Sequence, residues 1–591
     1  MKKLRTYSFF LASLALLTAC KKDFLDRQPK NLVSEEIAYG SISGVSALTV
    51  TLYNGLPTED FNYMVSDDGG FPSTTTDEAV RSYPWGSINN AVVGNWFGGW
   101  DYSRIRRINE FIERIPSANI DAGARKRFLA EARFIRAFEY FSLVKRYGGV
   151  PLVTKVQQYE SGSDISSLVV PRSREQDIYD FIAAELDAAA ADLPEDYNSD
   201  PANTYRVNKY GALALKSRAM LYAASSAKYG TVQLNGLVGI DASKANDYWL
   251  KAVQAADAII KSNKYRLYEG SADRVANFQQ LFLTQGNSEA IFTKVFQSPD
   301  KAHSFDFYNA PQSFKIDYGC VTNPTLEMVE EFEYTDGSSG TLKLVDGSGQ
   351  PIVYTNPADL FKNKDPRMFA TILTPFDSWQ GSILEIRRGI IDNGVKRTSE
   401  SLSAVYPANG TFPIVGKDGP LTTGDPTKTG FYIKKFMNPS TRVPYARSTT
   451  PWMIFRYGEI LLNFAEANME LGNAGSALDA LNQIRSRAGI RTLTEVTLER
   501  IRHERKVELA FENHRIWDLR RWRTASTVLN NTQLHALYPW LMWQSGVDPS
   551  QMKYTFEKVP APKLARTFPE RLYLEPIPQQ NPPYIQNPGY Q

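Results

Sequence analysis

Cysteine and histidine are scarce in this chain, with two and four among 591 residues. The histidines, His303, His503, His514 and His535, form no HExxH, and there is no CxxC, P-loop or dinucleotide fingerprint. No cofactor and no metal site is therefore expected. If Cys20 is consumed by a lipid, Cys320 has no partner, which excludes a disulfide and a cysteine-based metal site. An excess of one charge is also missing. Residues 1–19 carry Lys2, Lys3 and Arg5 and no acid, so their removal takes 67 basic residues to 64 against 64 acidic ones. A neutral mature chain excludes attraction by bulk charge, and no nucleic-acid partner is expected. Gly (38) and Pro (33) are neither dominant nor periodic, which excludes a collagen-like fibre, and 42% hydrophobic content excludes wholesale disorder. No apolar run approaches the ~20 residues needed to span a bilayer.

The longest apolar run, Tyr7–Leu17, follows the basic start and reads as a cleaved export signal over residues 1–19. Leu17-Thr18-Ala19-Cys20 resembles a bacterial lipobox, which implies that Cys20 becomes the first mature residue and carries a lipid anchor. Lys21–Asp26 resembles the short export sequences of Bacteroidetes surface lipoproteins.

The body of the chain is dominated by helix patterns. Between Asp121 and Tyr147, the stripe Ala130, Phe134, Ala137, Phe141, Val144 has helical spacing, and a second stripe, Phe128, Ala132, Ile135, Phe138, predicts burial on two sides. Gly148-Gly149 and Pro151 end it. Further helices are expected over Ser103–Ile115, Ser173–Leu193 (Ser173 as N-cap), Lys209–Ala224, Asp247–Lys261, Pro451–Leu471 and Ser476–Ala488. Pairs of about 35–45 residues suggest tetratricopeptide-like repeats. The expected fold is mostly α: a helix-pair scaffold with loop-rich, minor-β insertions. Residues 20–230 form an N-terminal region and 231–591 a C-terminal one, the latter with a loop-rich stretch over 269–448, helix pairs over 451–522 and an irregular tail.

Several segments resemble the SusD/RagB family. They are Ala130–Phe138 (AEARFIRAF), Tyr147–Val153 (YGGVPLV), Asn323-Pro324-Thr325, Asp365-Pro366-Arg367, Phe455–Ala467, Asn482–Gly489, Glu504–Glu512, Asp518–Trp522 and Gln586–Tyr590, in the family's order. Gly458 stands where the family usually has alanine, at a helix-propensity cost of about 1 kcal/mol. The resemblance implies a lipid-anchored outer-membrane protein facing the cell exterior. It also implies capture of nutrient, most often oligosaccharide, and delivery to a SusC-like TonB-dependent transporter beneath.

Glu508, Glu512 and Arg515, at +4 and +3, are expected on one helix face as a helix-fixing ion network, and Arg136 as scaffold. No catalytic residue is expected. Ligand contacts are sought among loop aromatics, since sugar rings pack on aromatic faces and their hydroxyls need polar partners. Three clusters qualify. The first is Phe61, Tyr63, Asp67, Asp68, Arg81, Tyr83, Trp85, Asn89, Asn90 and Trp96; the second is Phe305, Phe307, Tyr308 and Asn309; the third is Phe376, Asp377, Trp379 and Gln380. Trp100 and Tyr102 are assigned to packing. The expectation is one platform with micromolar to millimolar affinity, since each stacked ring adds ~1 kcal/mol against a comparable ordering cost. Peptide capture is the alternative within this class; a surface glycoside hydrolase and a protein-only scaffold are the others.

Overall fold

A computed structural model of the chain describes residues 35–65, 70–83, 97–162, 164–563, 565–578 and 583–590. Cys20 and the leader lie outside these residues. Among the described residues no helix is long and apolar enough to cross a membrane.

The fold is mostly helical. Helices α1 (Ile42–Asn54) and α2 (Tyr102–Arg114) flank α3 (Ala122–Tyr147), which Asp121 caps by accepting from the Ala124 amide. Both stripes of α3 are buried. It ends where Gly148 takes φ +70° and where a side chain on Gly149 would strike the Ser173 carbonyl. Next come α4 (Glu175–Asp192), α5 (Lys209–Tyr229, capped by Asn208) and α6 (Ala245–Lys261), each packed on the one before. The small residues of α5, Gly211, Ala212, Ala214 and Ala219, are all buried, which permits close helix contact. After α7 (Arg274–Leu283), α8 (Tyr457–Glu470) packs on α6, and α9 (Ala474–Ala488) packs on α8.

Three local expectations need correction. Ser173 is not the N-cap of α4; Arg174 occupies that position and makes no side-chain cap bond. The start of the Pro451–Leu471 pattern is a strand, because Trp452–Arg456 pairs antiparallel with Ala290–Lys294 before the chain turns into α8. Glu504–Trp522 is not continuous helix. It breaks between α10 (Leu498–Glu508) and α11 (Arg515–Arg521), where Phe511 and Asn513 take φ +62° and +63°. Arg515 therefore leaves the Glu508 face and pairs with Asp77 at 2.8 Å.

The ion network itself is present and buried. Arg456 donates from Nη1 to Glu508 at 2.8 Å and Glu289 at 3.1 Å, and from Nε to Glu512 at 2.7 Å. Arg367 and Arg485 extend it to Glu504 and Glu333, and Arg487 closes it on Glu289 and Glu508. Burial alone would raise the Glu508 carboxyl, but Arg487, Arg456 and Arg367 outweigh it and hold the group ionised. Arg136 likewise pairs with Glu185 at 2.7 Å between α3 and α4. These signature residues fasten helices to one another.

The tail is more regular than expected. His535–Met542 and Tyr554–Pro560 pair antiparallel, and His535–Met542 pairs parallel with Gly389–Asp392, in a four-stranded sheet completed by Val395–Thr398. Near its end the chain returns to α3, where the buried Asn587 amide donates to the Tyr147 carbonyl at 3.0 Å.

Candidate functional site

The second cluster only partly reaches the surface: Phe305 is buried in the core, and Tyr308 is half-buried at its edge. A single turn of helix, Phe305–Asn309, carries it. Phe307 is 8% exposed, and its ring centroid lies 5.5 Å from Tyr308, 6.1 Å from Tyr318 and 5.5 Å from Tyr445. Tyr308 meets Tyr445 at 6.2 Å and 87°. Tyr318 and Tyr445 are 51% and 60% exposed. Four rings therefore pack edge to face, two of them more than half exposed.

The rings stand on main chain that is fixed from several sides. Asp306 is buried and accepts from the Asn438 amide at 2.6 Å. His303 and Ser448 exchange main-chain bonds at 3.0 Å, and the Ala446 amide donates to the Ser304 hydroxyl at 3.0 Å. These bonds strap the 438–448 loop, which carries Tyr445, to the Phe305–Asn309 turn. The Tyr318 loop is closed by Cys320 N–H on the Ala310 carbonyl and Val321 N–H on the Tyr308 carbonyl, at 3.0 and 2.9 Å. Asn309 is buried beneath: its amide donates to the Phe305 carbonyl and its oxygen accepts from the Thr322 amide. It shapes the platform from below and does not reach solvent.

Of the first cluster's described residues, Arg81 and Tyr83 meet the platform from one side. Arg81 and Tyr83 are buried. Arg81 belongs to strand Ala79–Arg81, paired with Thr322–Pro324, and its guanidinium sits 5.6 Å over the Tyr83 ring. The Tyr83 hydroxyl donates to the Gly319 carbonyl at 3.2 Å, beside Tyr318. Lys563 holds the same strand end through the Tyr83 carbonyl at 2.7 Å; burial, then the charges of Lys428, Arg81 and Arg566, lower its pKa to about 8. Phe61 is core, stacked on His303 at 4.2 Å, and Tyr63 lies near Arg146. Asp67, Asp68, Trp85, Asn89, Asn90 and Trp96 fall outside the described residues.

The third cluster is mostly packing. Trp379 is 3% exposed, so its ring does not face solvent, contrary to its place among the contact candidates. Phe376 packs against Tyr554 at 4.6 Å, and Asp377 accepts from the Thr374 amide. Gln380 does reach the platform: its amide donates to the Asn438 and Thr441 carbonyls at 2.9 and 2.7 Å, bracing the Tyr445 loop. Trp100 and Tyr102 pack as expected against Tyr147 and the Pro151 carbonyl.

Tyr318 and Tyr445 were not among the sequence candidates. Nothing in spacing separates them from the other tyrosines, which number 31 in all; only the neighbouring glycine and proline, Gly319 and Pro444, mark both as loop residues. The exposed Arg442 and Arg447 lie on the same loop, with Arg442 5.5 Å over Phe314. Rings for C–H faces and side chains for hydroxyls are the chemistry of a shallow ligand platform.

Comparison with known proteins agrees with this architecture. Residues 288–590 match the family described as the SusD family, and residues 23–221 match one described as starch-binding associating with outer membrane. The SusD-like protein P38 of Formosa agariphila is 24% identical over 559 residues, covering 90% of this chain and 94% of that protein. A SusD-like protein from Bacteroides fragilis superposes with a TM-score of 0.70 at 25% identity, covering 94% and 99% of the two chains. A SusD-like carbohydrate binding protein from the same organism superposes at 0.68 and 24% identity, covering 92% and 98%.

Proposed function

This chain belongs to the SusD family, and from that premise we propose that it captures a glycan on the Phe307–Tyr308–Tyr318–Tyr445 platform and hands it, uncut, to a SusC-like TonB-dependent outer-membrane transporter. The observation that carries the reading is the pair of exposed rings, Tyr318 and Tyr445, on loops clamped by Asp306, Asn309 and Gln380. A ring held in advance contributes its stacking energy without first paying to be ordered. The carbohydrate-binding relative of like fold supports a sugar as ligand.

The commitment of the signature carboxylates supports a non-catalytic role. Glu504 and Glu508 are paired with arginines in the core, Glu512 with Arg456 and Lys435, and Asp306 holds a loop amide. Cys20 supplies the lipid that keeps the protein at the outer membrane, on the cell exterior. Weak, length-dependent affinity suits a relay, because a ligand held at nanomolar strength would dissociate too slowly to move inward.

The test is affinity electrophoresis of the purified protein through gels containing neutral polysaccharides, followed by chromatography of the sugar. Retardation by at least one polymer, with that polymer recovered at its original length, is expected. Shortened products, or no retardation by any of them, contradict the reading. Membranes solubilised in mild detergent are expected to yield the protein together with a barrel of the transporter class.

A further inference from the structure

Away from the aromatic platform, a cleft of about 380 Å³ opens between strand Ala290–Lys294 and the loop that joins α4 to α5. It shares no residue with the platform. One wall is formed by Ala290, Ile291, Phe292 and Thr293, four consecutive strand residues. Side chains of a strand alternate between its two faces, so four in succession can line one cleft only if the main-chain edge itself faces it. That edge is open. Ala290–Lys294 pairs with Trp452–Arg456 in a two-stranded sheet, and among the described residues no third strand pairs with it. A strand with one partner turns alternate N–H and C=O groups to its free side.

The opposite wall carries Tyr197, Tyr205 and Tyr265. Each hydroxyl makes a hydrogen bond: Tyr197 donates to the Val207 carbonyl at 3.0 Å, while Tyr265 accepts from the Asn208 amide at 2.9 Å and Tyr205 accepts from Gln285. The charges are committed too. Arg206 pairs with Glu131 at 2.8 Å, and Asp196 with Lys264 at 2.9 Å. The cleft thus offers ring surface, no unbalanced charge, and a row of main-chain donors and acceptors. An extended polypeptide matches the row at its own repeat.

We propose that this cleft accepts an uncharged, extended segment of a partner polypeptide, which adds to the free edge of Ala290–Lys294 as a third strand between that edge and the tyrosine wall. The Tyr205–Gln285 hydrogen bond joins two exposed residues, from the α4–α5 loop and from the chain just after α7, and holds the Tyr205 ring on that wall.

The probe is the capped peptide Ac-Thr-Val-Thr-Val-Thr-NH2, titrated into the purified protein by calorimetry and followed by amide hydrogen exchange. Saturating peptide is expected to slow exchange at Ile291–Thr293 about tenfold or more. The same peptide with alternate amides N-methylated is expected to bind about tenfold more weakly, as two or three main-chain hydrogen bonds are lost. Tyr205→Ala, at an exposed position, is expected to weaken the peptide while leaving polysaccharide retardation unchanged. No binding at millimolar peptide, equal binding of the methylated peptide, or binding without protection of Ile291–Thr293 each overturns the proposal. None of these outcomes bears on the glycan platform.

Discussion

Gly458 and Gly475 occupy the same position, the second residue of α8 and of α9, yet alanine should act oppositely at the two. A Cβ at Gly475 meets nothing within 4 Å, so Gly475→Ala gains only helix propensity, up to about 1 kcal/mol of stability. A Cβ at Gly458 would lie 2.2 Å from Nη1 of Arg456, 3.1 Å from Glu508 and 3.2 Å from Glu289. An arginine tip normally moves aside at little cost. This one is 1% exposed and donates to Glu289, Glu508 and Glu512, so moving it breaks hydrogen bonds between buried charges. At about 1.5–3 kcal/mol each, the loss of two outweighs the propensity gain and leaves Gly458→Ala destabilised by roughly 2–5 kcal/mol. Urea unfolding followed by tryptophan fluorescence measures both variants; the midpoint should fall for Gly458→Ala and rise slightly for Gly475→Ala, with unchanged slopes. A midpoint for Gly458→Ala at or above that of the parent protein would refute the claim that this network is rigid.

Other outcomes follow from the same reasoning. Burial would raise the Glu59 pKa, but Lys145 and Arg146 outweigh it and lower it from 4.5 to about 2. Its contribution to stability is therefore complete above about pH 5 and lost as pH falls from about 4.5 toward 2, and Glu59→Gln should flatten that acid arm in urea midpoints measured across pH. Trp379→Ala should cost about 3–5 kcal/mol in the same assay while leaving polysaccharide affinity intact, because the ring is buried. Cys20→Ser should release the protein from the membrane fraction, measured by sedimentation and immunoblotting; membrane retention would remove the lipid from the account.

The scaffold was legible because its signals are local. Ala/aromatic stripes and the Gly148-Gly149 stop sit within the segments they define, so most helices lie within a few residues of where periodicity puts them. The misreadings arose where a distant partner overrides local preference. Trp452–Arg456 carries a helical pattern but is claimed as a strand by Ala290–Lys294, and the 509–514 break is stabilised by Asp77, more than 400 residues away, pairing with Arg515. The platform was half legible. Phe307 and Tyr308 stood out by density of rings, but the exposure of Tyr318 and Tyr445 is decided by bonds such as Asp306 to Asn438, which link segments 132 residues apart and leave no trace in spacing. Trp379 shows the converse: a loop tryptophan looks like a contact until its surroundings bury it.

The claim that two clamped tyrosines recognise sugar is tested most directly by calorimetry of the purified protein and the double variant Tyr318→Ala/Tyr445→Ala, using oligosaccharides cut from whichever polymer retards the parent protein. With about 1 kcal/mol per stacked ring, the double variant should bind at least tenfold more weakly at unchanged urea midpoint. Parent-like affinity in the double variant would place the sugar elsewhere on the molecule.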